Sequence, residues 1–138
     1  MAARRAPAVL ALTMGEPSGI GGEIALKAWR SRADNVPLFC AIDDPLRLEA
    51  IAEAQGLDVP IRAVATLAEA AQVFAGALPV LPESLAAPAA PGRPRAENAG
   101  AVLHSIERAV KLAQSGEAAG VVTNPIHKAS LYKAGFPH

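Results

Sequence analysis

The chain has a single cysteine, Cys40. No intramolecular disulfide can staple it, so a disulfide-built scaffold is excluded. Cys40 sits in an apolar run, which predicts packing as a small hydrophobe, and a reducing compartment suits it. Neither sign of charge is in excess, with 13 Lys and Arg against 13 Asp and Glu. A nucleic-acid binder needs a basic surface to neutralise phosphates, so that class is disfavoured. No apolar run is long enough to span a membrane. The start, "MAARRAPAVLALTMGEPSG", sets two arginines before an apolar run as a signal peptide would. That run meets Gly15-Glu16-Pro17 instead of a small-residue cleavage site, so residues 8–14 read as a buried strand. Three dispersed histidines (His104, His127, His138) make no metal site, and no Cys/His cluster accompanies them. A G-x-S-x-G elbow is also missing, which removes support for a hydrolase triad.

What remains is an apolar chain of 138 residues, 51% hydrophobic, long enough for one domain with a real core. Strand-like and helix-like pieces alternate along it. "AVLALTM" (8–14), "VPLFCAI" (36–42) and "AGVVTN" (119–124) read as buried strands. "VPIRAV" (59–64) is a shorter strand whose Pro60 points to a sheet edge, and "LPVLP" (78–82) is a brief extended piece. Helices are predicted over 22–31, from Pro45 to a stop at Gly56, from a Thr66 cap through "LAEAAQVFAG", over 97–115 and over 125–135. In the first, Ile24, Leu26, Ala28 and Trp29 supply the apolar face. In the long fourth helix the expected apolar stripe is Val102, Ile106, Ala109, Val110 and Ala113, with His104 on the polar face. Residues 83–95, with three prolines and a glycine, read as an extended surface connection. This alternation predicts an α/β domain with a largely parallel sheet flanked by helices.

Two strand ends carry the chemistry. The first is "TMGEPSGIGGE", Thr13 to Glu23, between a strand and a helix where backbone N–H groups can receive an anion. Its spacing fits neither common nucleotide loop. Counting G-x-G-x-x-G from Gly19 puts Ile24 at the third small position, and counting a Walker A loop from Gly15 puts Ile20 at the second glycine with no Lys after it. A bare turn would need fewer than four glycines, so the loop is expected to line a site. The second is "TNPIHK", Thr123 to Lys128. Thr123 and Asn124 offer hydrogen bonds, His127 an acid or base, and Lys128 a charge for phosphate or carboxylate. The alternative reading makes Asn124 a helix cap and leaves the others solvated. The two loops together are expected to line one cleft.

"TMGEPSGIGGEIALKA" and "AENAGAVLHSIERAVKLAQSGEAAGVVTNPIHKASLYKAGFPH" resemble, in order and spacing, two stretches of the 4-hydroxythreonine-4-phosphate dehydrogenase family of vitamin B6 biosynthesis. The resemblance implies a fold similar to the isocitrate and isopropylmalate dehydrogenases, of which residues 1–138 would be a single incomplete α/β domain, the N-terminal portion of a longer two-domain enzyme. It implies oxidation of 4-phosphooxy-threonine with NAD or NADP, then decarboxylation of the 3-oxo acid, with a divalent metal (Zn, Mg or Co) polarising the reacting oxygen. It also implies a cytoplasmic homodimer that takes a phosphorylated small molecule and engages neither nucleic acid nor membrane. The family's Gly-His-Thr-Glu segment and metal-ligand histidines would follow "GFPH". No catalytic residue and no metal ligand is therefore assigned, and the chain alone is expected to be inactive and to bind neither cofactor nor metal tightly. Glu16, Ser18, Gly19, Asn98, Asn124, His127 and Lys128 match recurring family positions and are the substrate-cleft candidates, with Asn98 equally a cap for the long helix. The same loops would serve a dehydrogenase of another phosphorylated four-carbon acid, such as a phosphoerythronate, or a non-catalytic phosphate-binding fragment.

Overall fold

A computed structural model describes residues 8–126. Five strands form one parallel sheet: β1 (Leu10–Thr13), β2 (Phe39–Asp43), β3 (Ile61–Ala63), β4 (Leu78–Pro82) and β5 (Gly120–Val122), in the order β3-β4-β2-β1-β5. Between them run α1 (Gly21–Arg30), α2 (Pro45–Ala54), α3 (Leu67–Val73) and α4 (Ala99–Gln114). The expected α/β fold with a parallel sheet is what the chain adopts.

Alternate strand residues face opposite layers, so the inner strands β1, β2 and β4 are largely apolar on both faces. Leu12, Phe39, Ala41, Leu78 and Val80 pack with Ala25, Leu26 and Trp29 of α1 and Leu48 and Ala52 of α2. Ala11, Cys40, Ile42 and Leu81 pack on the other face with Leu67 and Ala70 of α3 and Ala109 of α4. The helix ends follow local chemistry. Asp44 accepts from the Leu46 amide at 3.0 Å with Pro45 at the first helical position, and Gly56 (φ +63°) follows the last turn of α2. Thr66 Oγ1 accepts from the Glu69 amide at 3.1 Å and starts α3.

The brief extended piece "LPVLP" forms β4, inside the sheet between β3 and β2. Its prolines fit since the β2 ladder begins at Val80, after Pro79, and ends at Pro82. Three expectations are corrected. β5 is not a buried strand, since Val121 and Val122 are 36% and 43% exposed. It is the outer strand of the described sheet, so one of its edges has no neighbour among the described residues. In α1, Ile24 points to solvent and Ala25 packs inward. In α4, Val110 is exposed, and Ser105, on the other flank of the stripe, is buried and hydrogen-bonded (below). Most of the helix expected at 125–135 lies outside the described residues, and Pro125 and Ile126 are in no regular element.

Candidate functional site

The strand order places the first loop. From β1 the chain moves to β2 on one side, whereas α4 carries it from β4 to β5 on the other side of β1. The carboxyl ends of β1 and β5 therefore flank a point where the winding reverses, the customary ligand position in open parallel sheets. The glycine-rich loop leaves β1 there, and Thr123 and Asn124 leave β5 beside it.

Asn124 joins the two. Its backbone N–H donates to Thr13 Oγ1 at 3.2 Å, and its Nδ2 donates to the carbonyls of Thr13 at 3.0 Å and Gly21 at 3.4 Å. The Glu16 amide donates to the Pro125 carbonyl at 2.7 Å. Asn124 is buried and its Nδ2 is spent on the loop, while the helix it was alternatively expected to cap lies mostly outside the described residues. The glycines follow from this packing. A Cβ on Gly21 would lie 3.0 Å from Asn124 and the Met14 carbonyl, and one on Gly22 would lie 2.6 Å from Ile51 Cδ1.

The loop is less open to anions than its composition suggests. The Glu16 carboxylate folds back, accepting from the Ser18 amide at 3.1 Å and its hydroxyl at 2.9 Å. The Gly19 amide donates to the Glu16 carbonyl at 2.9 Å. The donors of residues 18 and 19 are thus engaged inside the loop. Among the described residues no side chain caps the start of α1, so its first amides remain.

Asn98 occupies the cap position of α4 without capping it. Its Oδ1 accepts from the Ala87 amide at 2.8 Å, and the residue is buried. It ties the proline-rich connection to the helix, which corrects the cap alternative. The connection also folds over the loop, since the Gly92 amide donates to the Ser18 carbonyl at 2.9 Å and Asp44 Oδ2 accepts from the Leu85 amide at 3.0 Å. It is therefore more than a surface tether. A cleft of about 960 Å3 opens between it, the start of α1 and the length of α2. Ser18 and Gly19 line this cleft, whereas Glu16, Asn98 and Asn124 do not. His127 and Lys128 lie outside the described residues.

Residues not singled out from the sequence complete the region. Arg47 is buried with Asp43, and its Nη1 donates to both Asp43 carboxylate oxygens at 2.8 and 2.6 Å while Nε donates to the Pro17 carbonyl at 3.1 Å. Burial pushes the Asp43 carboxyl up to about 6, against the opposing pull of Arg47. The readable signal was the four-residue spacing of Asp43 and Arg47 across a strand-to-helix junction. Ser105 bridges the ends of two strands, its Oγ accepting from the Met14 amide at 2.9 Å and donating to the Ile42 carbonyl at 2.8 Å. Cys40 is fully buried and its thiol is pushed up to about 12 by desolvation. Among the described residues no group of three or more His, Cys, Asp or Glu side chains could hold a metal ion. No described helix is long and apolar enough to cross a membrane.

Comparison with known proteins gives this geometry a context. The profile of the family described as pyridoxal phosphate biosynthetic protein PdxA matches residues 35–138. The 4-hydroxythreonine-4-phosphate dehydrogenase of Methylorubrum populi is 54% identical over 132 residues, covering 94% of this chain and 38% of that protein. The enzyme of the same name from Xanthobacter autotrophicus is 44% identical over 133 residues, covering 96% of this chain and 38% of the relative. The crystal structure of a 4-hydroxythreonine-4-phosphate dehydrogenase from Burkholderia phymatum superposes with a TM-score of 0.84 at 27% identity, over 98% of this chain and 41% of that one. The chain thus spans well under half the length of the relatives it matches.

Proposed function

Because the chain belongs to the PdxA family of pyridoxal phosphate biosynthetic proteins, we propose that it forms part of a 4-hydroxythreonine-4-phosphate dehydrogenase. The whole protein oxidises the hydroxyl of 4-phosphooxy-threonine, and the 3-oxo acid formed then loses carbon dioxide. The observation that carries this reading is the 54% identity over 132 residues to the Methylorubrum populi enzyme. In this reading Glu16, Ser18 and Gly19 belong to one wall of the substrate cleft and His127 and Lys128 to the other. Asn124 keeps the walls in register through its bonds to Thr13 and Gly21. Asn98 acts at one remove, by holding the 85–92 connection at Ala87.

NAD or NADP would accept the hydride, and a divalent cation would supply Lewis-acid chemistry in the whole protein. The described residues do not fit the cation, since they contain no suitable ligand cluster. The 138-residue chain alone lacks dehydrogenase activity in this reading. The whole protein is a cytoplasmic homodimer.

The test compares two proteins: the purified 138-residue chain, and the same chain continued by the remaining sequence of the Methylorubrum populi relative. Each receives 4-phosphooxy-threonine, NAD or NADP, and a divalent cation. Reduced nicotinamide is expected only from the longer protein. Turnover by the short chain overturns its assigned inactivity. A folded, dimeric longer protein that reduces cofactor with phosphoerythronate and not with 4-phosphooxy-threonine overturns the substrate.

A further inference from the structure

One buried group remains unexplained by the fold or by the proposed reaction. Among the described residues Arg47 Nη2 is the one buried side-chain nitrogen or oxygen without a hydrogen-bond partner. The side chain is 4% exposed, so solvent barely reaches it. Its sister nitrogens are committed, Nη1 to Asp43 and Nε to the Pro17 carbonyl. A buried guanidinium N–H without an acceptor is costly and calls for an explanation.

The position of Nη2 suggests one. It lies 3.2 Å from where a Cβ on Gly22 would sit, beneath the first turn of α1. That turn has no capping side chain, so its amides and the positive end of the helix dipole meet the guanidinium in one place. Arg47 and Ile20 both line the 960 Å3 cleft. The nearby carboxylates are already engaged: Asp43 with Arg47, Glu16 with Ser18, Asp44 with the Leu46 and Leu85 amides, and Glu23 with Lys27 at 2.7 Å. The remaining walls are mainly apolar, including Leu46, Ile51, Leu85 and Pro88.

We propose that this cleft binds a small molecule with a phosphate or carboxylate head and an apolar body. The head oxygens accept from Arg47 Nη2 and from the first amides of α1, and the body lies on Ile20, Leu46 and Pro88. Arg47 supplies a planar donor that a lysine cannot imitate. Gly22 keeps the approach open, because a side chain there would strike Ile51 and the guanidinium. This inference does not rest on the dehydrogenase reading.

The test is an NMR titration of the 15N-labelled 138-residue chain with inorganic phosphate, phenyl phosphate and benzoate, against sodium chloride of matched ionic strength. Saturable shifts are expected at the Gly21, Gly22 and Glu23 amides and the Arg47 side chain, with phenyl phosphate binding more tightly than inorganic phosphate. A response to phenyl phosphate and not benzoate identifies a phosphate ligand, and the reverse a carboxylate ligand. In Arg47→Lys the affinity should fall by about tenfold or more, the loss of one charge-assisted hydrogen bond. Ile20→Ser alters an exposed side chain and should erase the advantage of phenyl phosphate while preserving the fold. The proposal is overturned by shifts that sodium chloride reproduces, by shifts that avoid the first turn of α1, or by an Arg47→Lys protein that folds and binds unchanged. If Arg47→Lys does not fold, the shift map and Ile20→Ser decide.

Discussion

Gly15 and Asn124 compete for the same space: a Cβ on Gly15 would lie 2.6 Å from the Asn124 Cβ and 2.7 Å from the Pro125 carbonyl oxygen. Gly15 also has φ +68°, a conformation that costs other residues energy. Gly15→Ala therefore faces a torsional cost and a collision between two backbone segments. We expect a loss of about 2 to 4 kcal/mol, the sum of a left-handed residue and an overpacked contact. Urea unfolding of the variant checks this. A change within a few tenths of a kcal/mol of wild type would show that β5 and the loop do not hold each other.

Ser105 offers a second test of how the strand ends are fastened. Its hydroxyl satisfies the Met14 amide and the Ile42 carbonyl at once, with no solvent exposure. Ser105→Ala preserves helix propensity and volume but strands a buried donor and a buried acceptor. Each orphan costs about 1 to 3 kcal/mol, so a loss of about 2 to 6 kcal/mol is expected on denaturant unfolding. Faster amide exchange at Met14 should accompany it.

The features legible in the sequence were those governed by local rules. Asp44-Pro45, Thr66 and Gly56 mark helix ends because capping involves residues a few positions apart. The apolar runs of β1 and β2 announce burial on both faces. What stayed hidden depends on partners distant in sequence. Nothing near Pro79 says that β4 enters the sheet between β2 and β3. Ser105 looks polar and outward until the Met14 amide and Ile42 carbonyl are brought to it. Asn98 sits where a cap belongs, and only the packed chain shows its Oδ1 spent on Ala87 instead; the bonds of Asn124 Nδ2 to Thr13 and Gly21 are equally invisible in the sequence. Arg47 reads as a solvated helix residue until Asp43 and Gly22 enclose it.

Cys40 supplies a probe of opening. With its thiol pushed up to about 12 and the side chain fully buried, only about one molecule in ten thousand carries a thiolate at pH 8. An aromatic disulfide reagent should therefore leave Cys40 unmodified in the native protein and react promptly in denaturant. Reaction in native buffer at the rate of a free thiol would contradict the packing of β2.

Asp43 gives the fold a pH dependence of unusual sign. Burial raises its carboxyl from 3.8 in the unfolded chain to about 6 in the folded one, with Arg47 opposing the rise. Between those values the folded state holds a proton that the unfolded state has released. Stability then increases as pH falls from 6 towards 4, and above 6 the contribution is level at its least favourable. Two units of raised pKa correspond to about 3 kcal/mol across that window. The check is a carboxyl-carbon NMR titration of selectively labelled Asp. A midpoint near 6 is expected for Asp43, and one at or below 4 would show that the pair with Arg47 outweighs desolvation. Asp43→Ala should be far worse than neutralising the group by acid, since the protonated carboxyl still offers Arg47 Nη1 an oxygen acceptor and alanine offers none. A loss of about 3 to 5 kcal/mol is expected, and recovery of part of that loss in the double variant Asp43→Ala/Arg47→Met would show that the orphaned cation, not the missing contact, is the cause.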